Sequence, residues 1–145
     1  MKLAIKLSIF SFFLLFLFAC KKEDAKSKTD LLTQKTWMIQ KLETKEGNNP
    51  WEDDFPTWDA CSKDDRYIFR ANNTYEFNEG LTKCDPSDPQ IFDSGSWSFT
   101  NNETKLLIGS DEFTIVSLTE TNLILSVQET VGGVAYQIQI TFGNK

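Results

Sequence analysis

From Val134 to Phe142 the chain is apolar at every second position, with Val134, Tyr136, Ile138, Ile140 and Phe142 separated by Ala135, Gln137, Gln139 and Thr141. A period of two places these sets on opposite faces of a β-strand, so one face is built to be buried and the other to meet water. The same alternation recurs along the chain. Trp37 and Ile39 share a face of a strand over 36–44, Tyr67 pairs with Phe69, and Tyr75 with Phe77. Trp97 and Phe99 share a face within 95–100, followed by Leu106 with Ile108 and by Phe113 with Ile115. Leu123, Leu125 and Val127 mark the seventh strand. At Leu118 the alternation slips by one residue, the signature of a β-bulge. Thr29 or Asp30 is placed to cap a short helical turn through Leu31, Leu32 and Gln34.

Turn residues separate the strands. Asn72–Asn73, Asn101–Asn102, Gly109–Asp111, Thr119–Asn122 and Gly132–Gly133 leave no room for long crossovers, so neighbouring strands run antiparallel. The expectation is an all-β fold, an eight-stranded antiparallel up-and-down barrel with a short N-terminal helical turn. Closure removes both sheet edges, and at eight strands the interior is either filled by side chains or holds one small ligand. A two-sheet sandwich is the alternative. The second faces carry Gln, Thr, Ser and Glu and lack the outward apolar band of a membrane barrel.

The N-terminus belongs to no strand. Lys2 and Lys6 open a run from Leu7 to Ala19 that is apolar except for Ser8 and Ser11. Its 13 residues would rise about 20 Å as a helix, against a hydrocarbon core of about 30 Å, which fits a secretory signal better than a membrane span. Leu17, Phe18, Ala19 and Cys20 resemble the lipobox of bacterial lipoprotein signal peptides. That resemblance implies cleavage before Cys20 and lipidation of its thiol, which anchors the protein to a membrane. Residues 1–19 are then the lipoprotein signal peptide, 20–29 a lipidated cysteine with a flexible tether, and 30–145 the barrel domain. Lys21, Lys22, Glu23 and Asp24 resemble the short signal by which some Gram-negative lineages display lipoproteins on the outer face of the outer membrane. An ordinary charged tether has the same composition.

Charge narrows the partners. Residues 30–145 hold 9 Lys and Arg against 19 Asp and Glu, about −10, which excludes a phosphate-binding surface and with it nucleic acid. In an exported chain the remaining Cys61 and Cys84 point to a disulfide, worth about 3 kcal/mol for a loop of this length. Two cysteines and no histidine are too few ligands for a structural zinc site. The absence of histidine also removes the commonest general base, and no serine or carboxylate stands in a catalytic spacing. The expectation is a protein that is not an enzyme and carries no cofactor.

The long connection from Lys45 to Asp65 stands out, because loops beyond about 12 to 15 residues are usually functional or disordered. It holds Trp51, Phe55, Pro56 and Trp58, aromatics expected to fold over the barrel mouth as a lid pinned at Cys61. Glu52, Asp53, Asp54, Asp59, Asp64 and Asp65 crowd the same loop without EF-hand spacing and read as a solvated acidic surface.

In order along the chain stand a short helical start at Leu31 and Leu32, Trp37, Cys61 with Asp64 and Asp65, and Tyr67 with Phe69. Asn73, Thr74 and Tyr75, then Cys84, then Gly95, Ser96 and Trp97 complete the series. This order and spacing over residues 30–142 resemble the bacterial lipocalin-like domain lipoproteins. The resemblance implies a lipid-anchored eight-stranded barrel, a Cys61–Cys84 pair and a ligand cavity. On that basis the lid gates an interior lined by Trp37, Tyr67, Phe69, Tyr75, Phe77, Trp97, Phe99 and Tyr136, which sequesters a small apolar or amphipathic ligand. The competing expectation is that the same rings fill the barrel and the acidic loop surface docks another protein of the envelope.

Overall fold

The computed structural model describes residues 25–144. The signal-peptide segment, Cys20 and the start of the tether lie outside them. Helix α1 (Lys28–Thr33) is capped by Ser27, whose hydroxyl oxygen accepts the Asp30 backbone N–H at 3.0 Å. The cap is therefore Ser27, not Thr29 or Asp30. The Ser27 hydroxyl also donates to the Asp30 carboxylate at 2.7 Å, and this reciprocal pair starts ordered structure inside the stretch read as tether.

Eight strands close into an antiparallel barrel, and a ninth, very short strand hangs on its wall. They are β1 (Thr36–Glu46), β2 (Glu52–Asp53), β3 (Arg66–Phe69), β4 (Thr74–Asn78), β5 (Ile91–Thr100), β6 (Lys105–Ile108), β7 (Asp111–Leu118), β8 (Asn122–Val131) and β9 (Val134–Asn144). Each strand from β3 to β8 pairs with its successor, and β1 pairs with both β3 and β9. No sandwich forms. The chain reaches from Trp37 opposite Asn144 to Glu46 opposite Tyr136, so first and last strands seal the cylinder along their whole length.

Bulges bend the tall strands. One lies between Ile39 and Lys41 on β1 and another between Ile115 and Ser117 on β7. The second produces the slip at Leu118: Val116 is the extra residue and is 53% exposed, which restores Leu118 opposite Leu123. In the β3–β4 hairpin Asn73 takes a φ of 64°, a conformation asparagine tolerates, and its side chain donates to the Trp97 carbonyl at 3.3 Å.

The core sits towards one end. Leu32, Trp37, Phe69, Leu106, Leu123 and Leu125 are fully buried, with Trp97 and Phe142 beside them. Helix α1 closes this end, since Leu32 is drawn inside and its carbonyl accepts the Trp37 indole N–H at 2.9 Å. Trp97 makes the corresponding bond to the Arg70 carbonyl at 3.0 Å. Burying such side chains contributes about 1.5–3 kcal/mol each, and the two bonds spare the indoles an unpaired donor.

The long 47–65 connection follows an unexpected course. β3 covers β1 only at Thr36 and Trp37, leaving the rest of that β1 edge bare. β2 fills it, pairing Glu43 with Asp53 and Thr44 with Glu52. Asp53 accepts the backbone N–H groups of Leu42 and Phe55, and Asp54 accepts the Thr44 hydroxyl at 3.1 Å. Cys61 and Cys84 form a disulfide that ties this connection to the 79–90 loop. Asp64 adds a second tie by accepting the Leu81 and Thr82 N–H groups, both at 3.0 Å. Gly80 is forced by that contact, because a Cβ there would lie 1.9 Å from the Asp64 carbonyl oxygen.

Candidate functional site

The interior is not filled. A cavity of about 360 Å³ lies above the packed end, walled by Tyr67 and Phe69 of β3, Tyr75 and Phe77 of β4, and Ile108 of β6. Phe113 of β7, Leu125 of β8, and Ile140 and Phe142 of β9 complete the apolar wall. All nine come from the inward-facing alternate positions of their strands, which is why the ring of rings faces a common space. Buried Phe69, Leu125 and Phe142 form the floor, while exposed Asp93, Gly109, Ser110 and Asp111 form the rim.

Six of the lining side chains are aromatic and interlock. Ring centroids lie 4.3 Å apart for Tyr67 and Phe77, 4.9 Å for Tyr75 and Phe77, and 5.1 Å for Tyr67 and Phe142. The pairs are tilted or edge-on, the arrangements that aromatic quadrupoles favour. Tyr75 crosses from core to rim: its ring is only 5% exposed, yet its hydroxyl donates to the Asp93 carboxylate at 2.9 Å. Gly95 makes this possible, since a Cβ there would come within 3.0 Å of the Tyr75 ring. Burial raises the Tyr75 phenol above its ordinary pKa, and the bond to Asp93 with the charges of Asp93 and Asp111 raises it further. Burial likewise pushes Tyr67 up to about 12, with Asp65 adding to it. Both phenols are neutral at physiological pH and serve as hydrogen-bonding groups.

The residues expected from the sequence to line a cavity divide into two sets. Tyr67, Phe69, Tyr75 and Phe77 line it; Trp37, Trp97, Phe99 and Tyr136 do not. Trp37 and Trp97 plug the closed end, where they are 0% and 3% exposed, and Phe99 packs against that plug at 5.3 Å from Trp97. Tyr136 stands at the far tip of the β1–β9 wall, 37% exposed, with its hydroxyl on Glu46 at 2.8 Å. The aromatics of the long connection form no lid. Trp51 lies on the outer wall with Ser126, Gln128, Gln137 and Gln139 and under the Lys45 ammonium, 5.9 Å from its ring centroid. Phe55 and Trp58 contact each other in a tilted pair, with ring centroids 5.6 Å apart, and pack against the core. The bare β1 edge next to short β3 explains this, because covering it satisfies more backbone than a lid would.

Asp93 and Asp111 are the site residues that the sequence reading missed. Both obey the same period: Asp93 is two residues before Gly95 and four before Trp97, and Asp111 is two before Phe113. Extending each strand backwards by one inward position finds them. Of the acids of the long connection, Asp53, Asp54 and Asp64 accept backbone and hydroxyl donors, as described above.

The geometry has a counterpart among known sequences. A family model described as lipocalin-like domain matches residues 33–125. The chain belongs to the lipocalin-like domain family. The match runs from the end of α1 through the first part of β8, so the lipocalin-like barrel carries a sealing strand, β9, beyond the matched region. No curated protein matches the chain. A lipocalin-like barrel with an open interior is a fold suited to holding a small molecule, and the described cavity is of the size such sites have, about 300–1,000 Å³.

Proposed function

We propose that this lipocalin-like protein is a non-catalytic lipoprotein of the bacterial outer membrane that sequesters a small apolar or amphipathic molecule inside its barrel. The cavity carries the reading: about 360 Å³ of space ringed by aromatic and aliphatic side chains, with a polar rim at one end only. A ligand there is held by burial of its apolar body, at about 25 cal/mol per Å² removed from water, and no bond is made or broken. The docking-module alternative needs a filled barrel, so the open interior weighs against it.

Anchoring rests on the sequence. The lysines at 2 and 6, the apolar run to Ala19 and the position of Cys20 support lipidation and attachment to the membrane. Lys21 to Asp24 support display at the outer surface. The acidic body excludes nucleic acid as a partner on this reading.

Mass spectrometry of the protein extracted natively from its own membrane reads both parts together. A lipidated N-terminus at Cys20 and a retained small molecule are the expected results. Leu125→Trp, which fills the floor, is expected to abolish retention while the barrel still folds; unaltered retention in that variant would place the ligand elsewhere and overturn the reading.

A further inference from the structure

The walls of the cavity and its rim differ in a way that selects among amphiphiles. Thirteen residues line the space, and none is Lys or Arg; the only charged groups are Asp93 and Asp111, both at the rim. Among the described residues neither carboxylate takes part in a salt bridge. Asp93 accepts only the Tyr75 hydroxyl, and Asp111 only a long 3.4 Å contact from Ser110. Both are exposed at the rim. Below them stand the aromatic side chains of the wall, and an aromatic quadrupole attracts a cation placed over the ring within about 6 Å.

We infer that the cavity is selective for amphiphiles with a cationic, ammonium-type head, which sits between Asp93 and Asp111 against the rings of Tyr75 and Phe77 while the tail lies on the floor formed by Phe69, Leu125 and Phe142. A carboxylate head at the rim meets two like charges and a Tyr75 phenol already engaged by Asp93, so it is disfavoured there by repulsion. A neutral alcohol is intermediate, because its single O–H donates to one carboxylate and gains nothing from the rings. The inference rests on the proposed ligand-binding role of the same cavity.

Three probes of one chain length separate the two claims. Octyltrimethylammonium, octanol and octanoate are titrated below their micelle concentrations into the full chain and followed by calorimetry and tryptophan fluorescence. The ammonium is expected to bind more tightly than the alcohol by about tenfold, consistent with a desolvated cation–π contact, and octanoate more weakly than either. The Asp93→Asn, Asp111→Asn double variant is expected to lose the ammonium advantage and keep its octanol affinity. Failure of all three probes would overturn the binding role itself and this inference with it. Octanol binding with no advantage for the ammonium, or octanoate binding equally well, would overturn the head-group selectivity and leave the cavity role standing. The probe ranking on the unmodified protein decides the matter even if the double variant does not fold.

Discussion

The indole N–H of Trp37 donates to the carbonyl of Leu32 at 2.9 Å, with both side chains completely buried. One residue belongs to the helix and the other to the first barrel strand, so this bond fastens the stopper to the cylinder. Leu32→Ala is expected to cost about 2–5 kcal/mol through the lost burial and the cavity left behind. Trp37→Phe is expected to cost about 1–3 kcal/mol, because it leaves a buried carbonyl without its donor. Urea denaturation midpoints measure both, and a shift under about 0.5 kcal/mol in either would show that the helix does not close the barrel.

The disulfide Cys61–Cys84 joins the 47–65 and 79–90 loops just beyond the Arg66–Asn78 end of the β3–β4 ladder. Its removal by Cys61→Ser with Cys84→Ser is expected to lower stability by about 2–4 kcal/mol. Hydrogen exchange should rise over residues 52–65 and 79–90 while the β8–β9 hairpin keeps its protection, since the latter is held by an unbroken ladder. A uniform rise over the whole barrel would show that the bond supports global folding, not this local seam.

Gly95 lies opposite Tyr75 in the β4–β5 ladder, with the phenol ring resting over it. Gly95→Ala puts a methyl group 3.0 Å from that ring, tighter than ordinary contact. The ring must move away from Asp93, at a cost of about 1–3 kcal/mol for overpacking. Loss of the Tyr75–Asp93 bond is measurable as a fall in the phenol pKa by spectrophotometric titration. An unchanged titration would mean that the ring has room that the contact denies it.

Asp65 titrates at about 6, above its ordinary 3.8, chiefly because burial disfavours its charge and secondarily because Glu79 and Asp64 lie close. The folded protein therefore binds a proton between about pH 4 and 6 that the unfolded chain has released. Stability falls as pH rises through that window and levels off above it. Asp65→Asn is expected to flatten this slope and to stabilise the protein at pH 7. Thermal unfolding of both forms from pH 4 to 7 provides the comparison, and parallel curves would exclude Asp65 as the source.

Part of the site was open to reading along the chain, and part was not. Tyr67, Phe69, Tyr75 and Phe77 were found because alternation reports which face of a strand a residue occupies. Trp37, Trp97 and Phe99 turn inward as well and yet pack at the closed end, while Tyr136 follows the same alternation and ends up exposed at the tip of its strand. Periodicity carries no information on height along the barrel axis. Trp51, Phe55 and Trp58 sit in a segment without alternation, so only the bare edge of β1 determined where they went.

By itself the sequence settled the eight barrel strands, their antiparallel succession, the turns at the asparagine and glycine pairs, and the pairing of Cys61 with Cys84, because each depends on neighbours a few residues apart or on a count of partners. The tertiary structure alone decided which end of the barrel is packed and which is hollow, and that Asp93 and Asp111 both stand at the rim near the Tyr75 phenol. Those outcomes follow from strand stagger and from the unequal lengths of β3 and β9. Both are set by contacts between residues far apart in the chain, which local patterns do not encode.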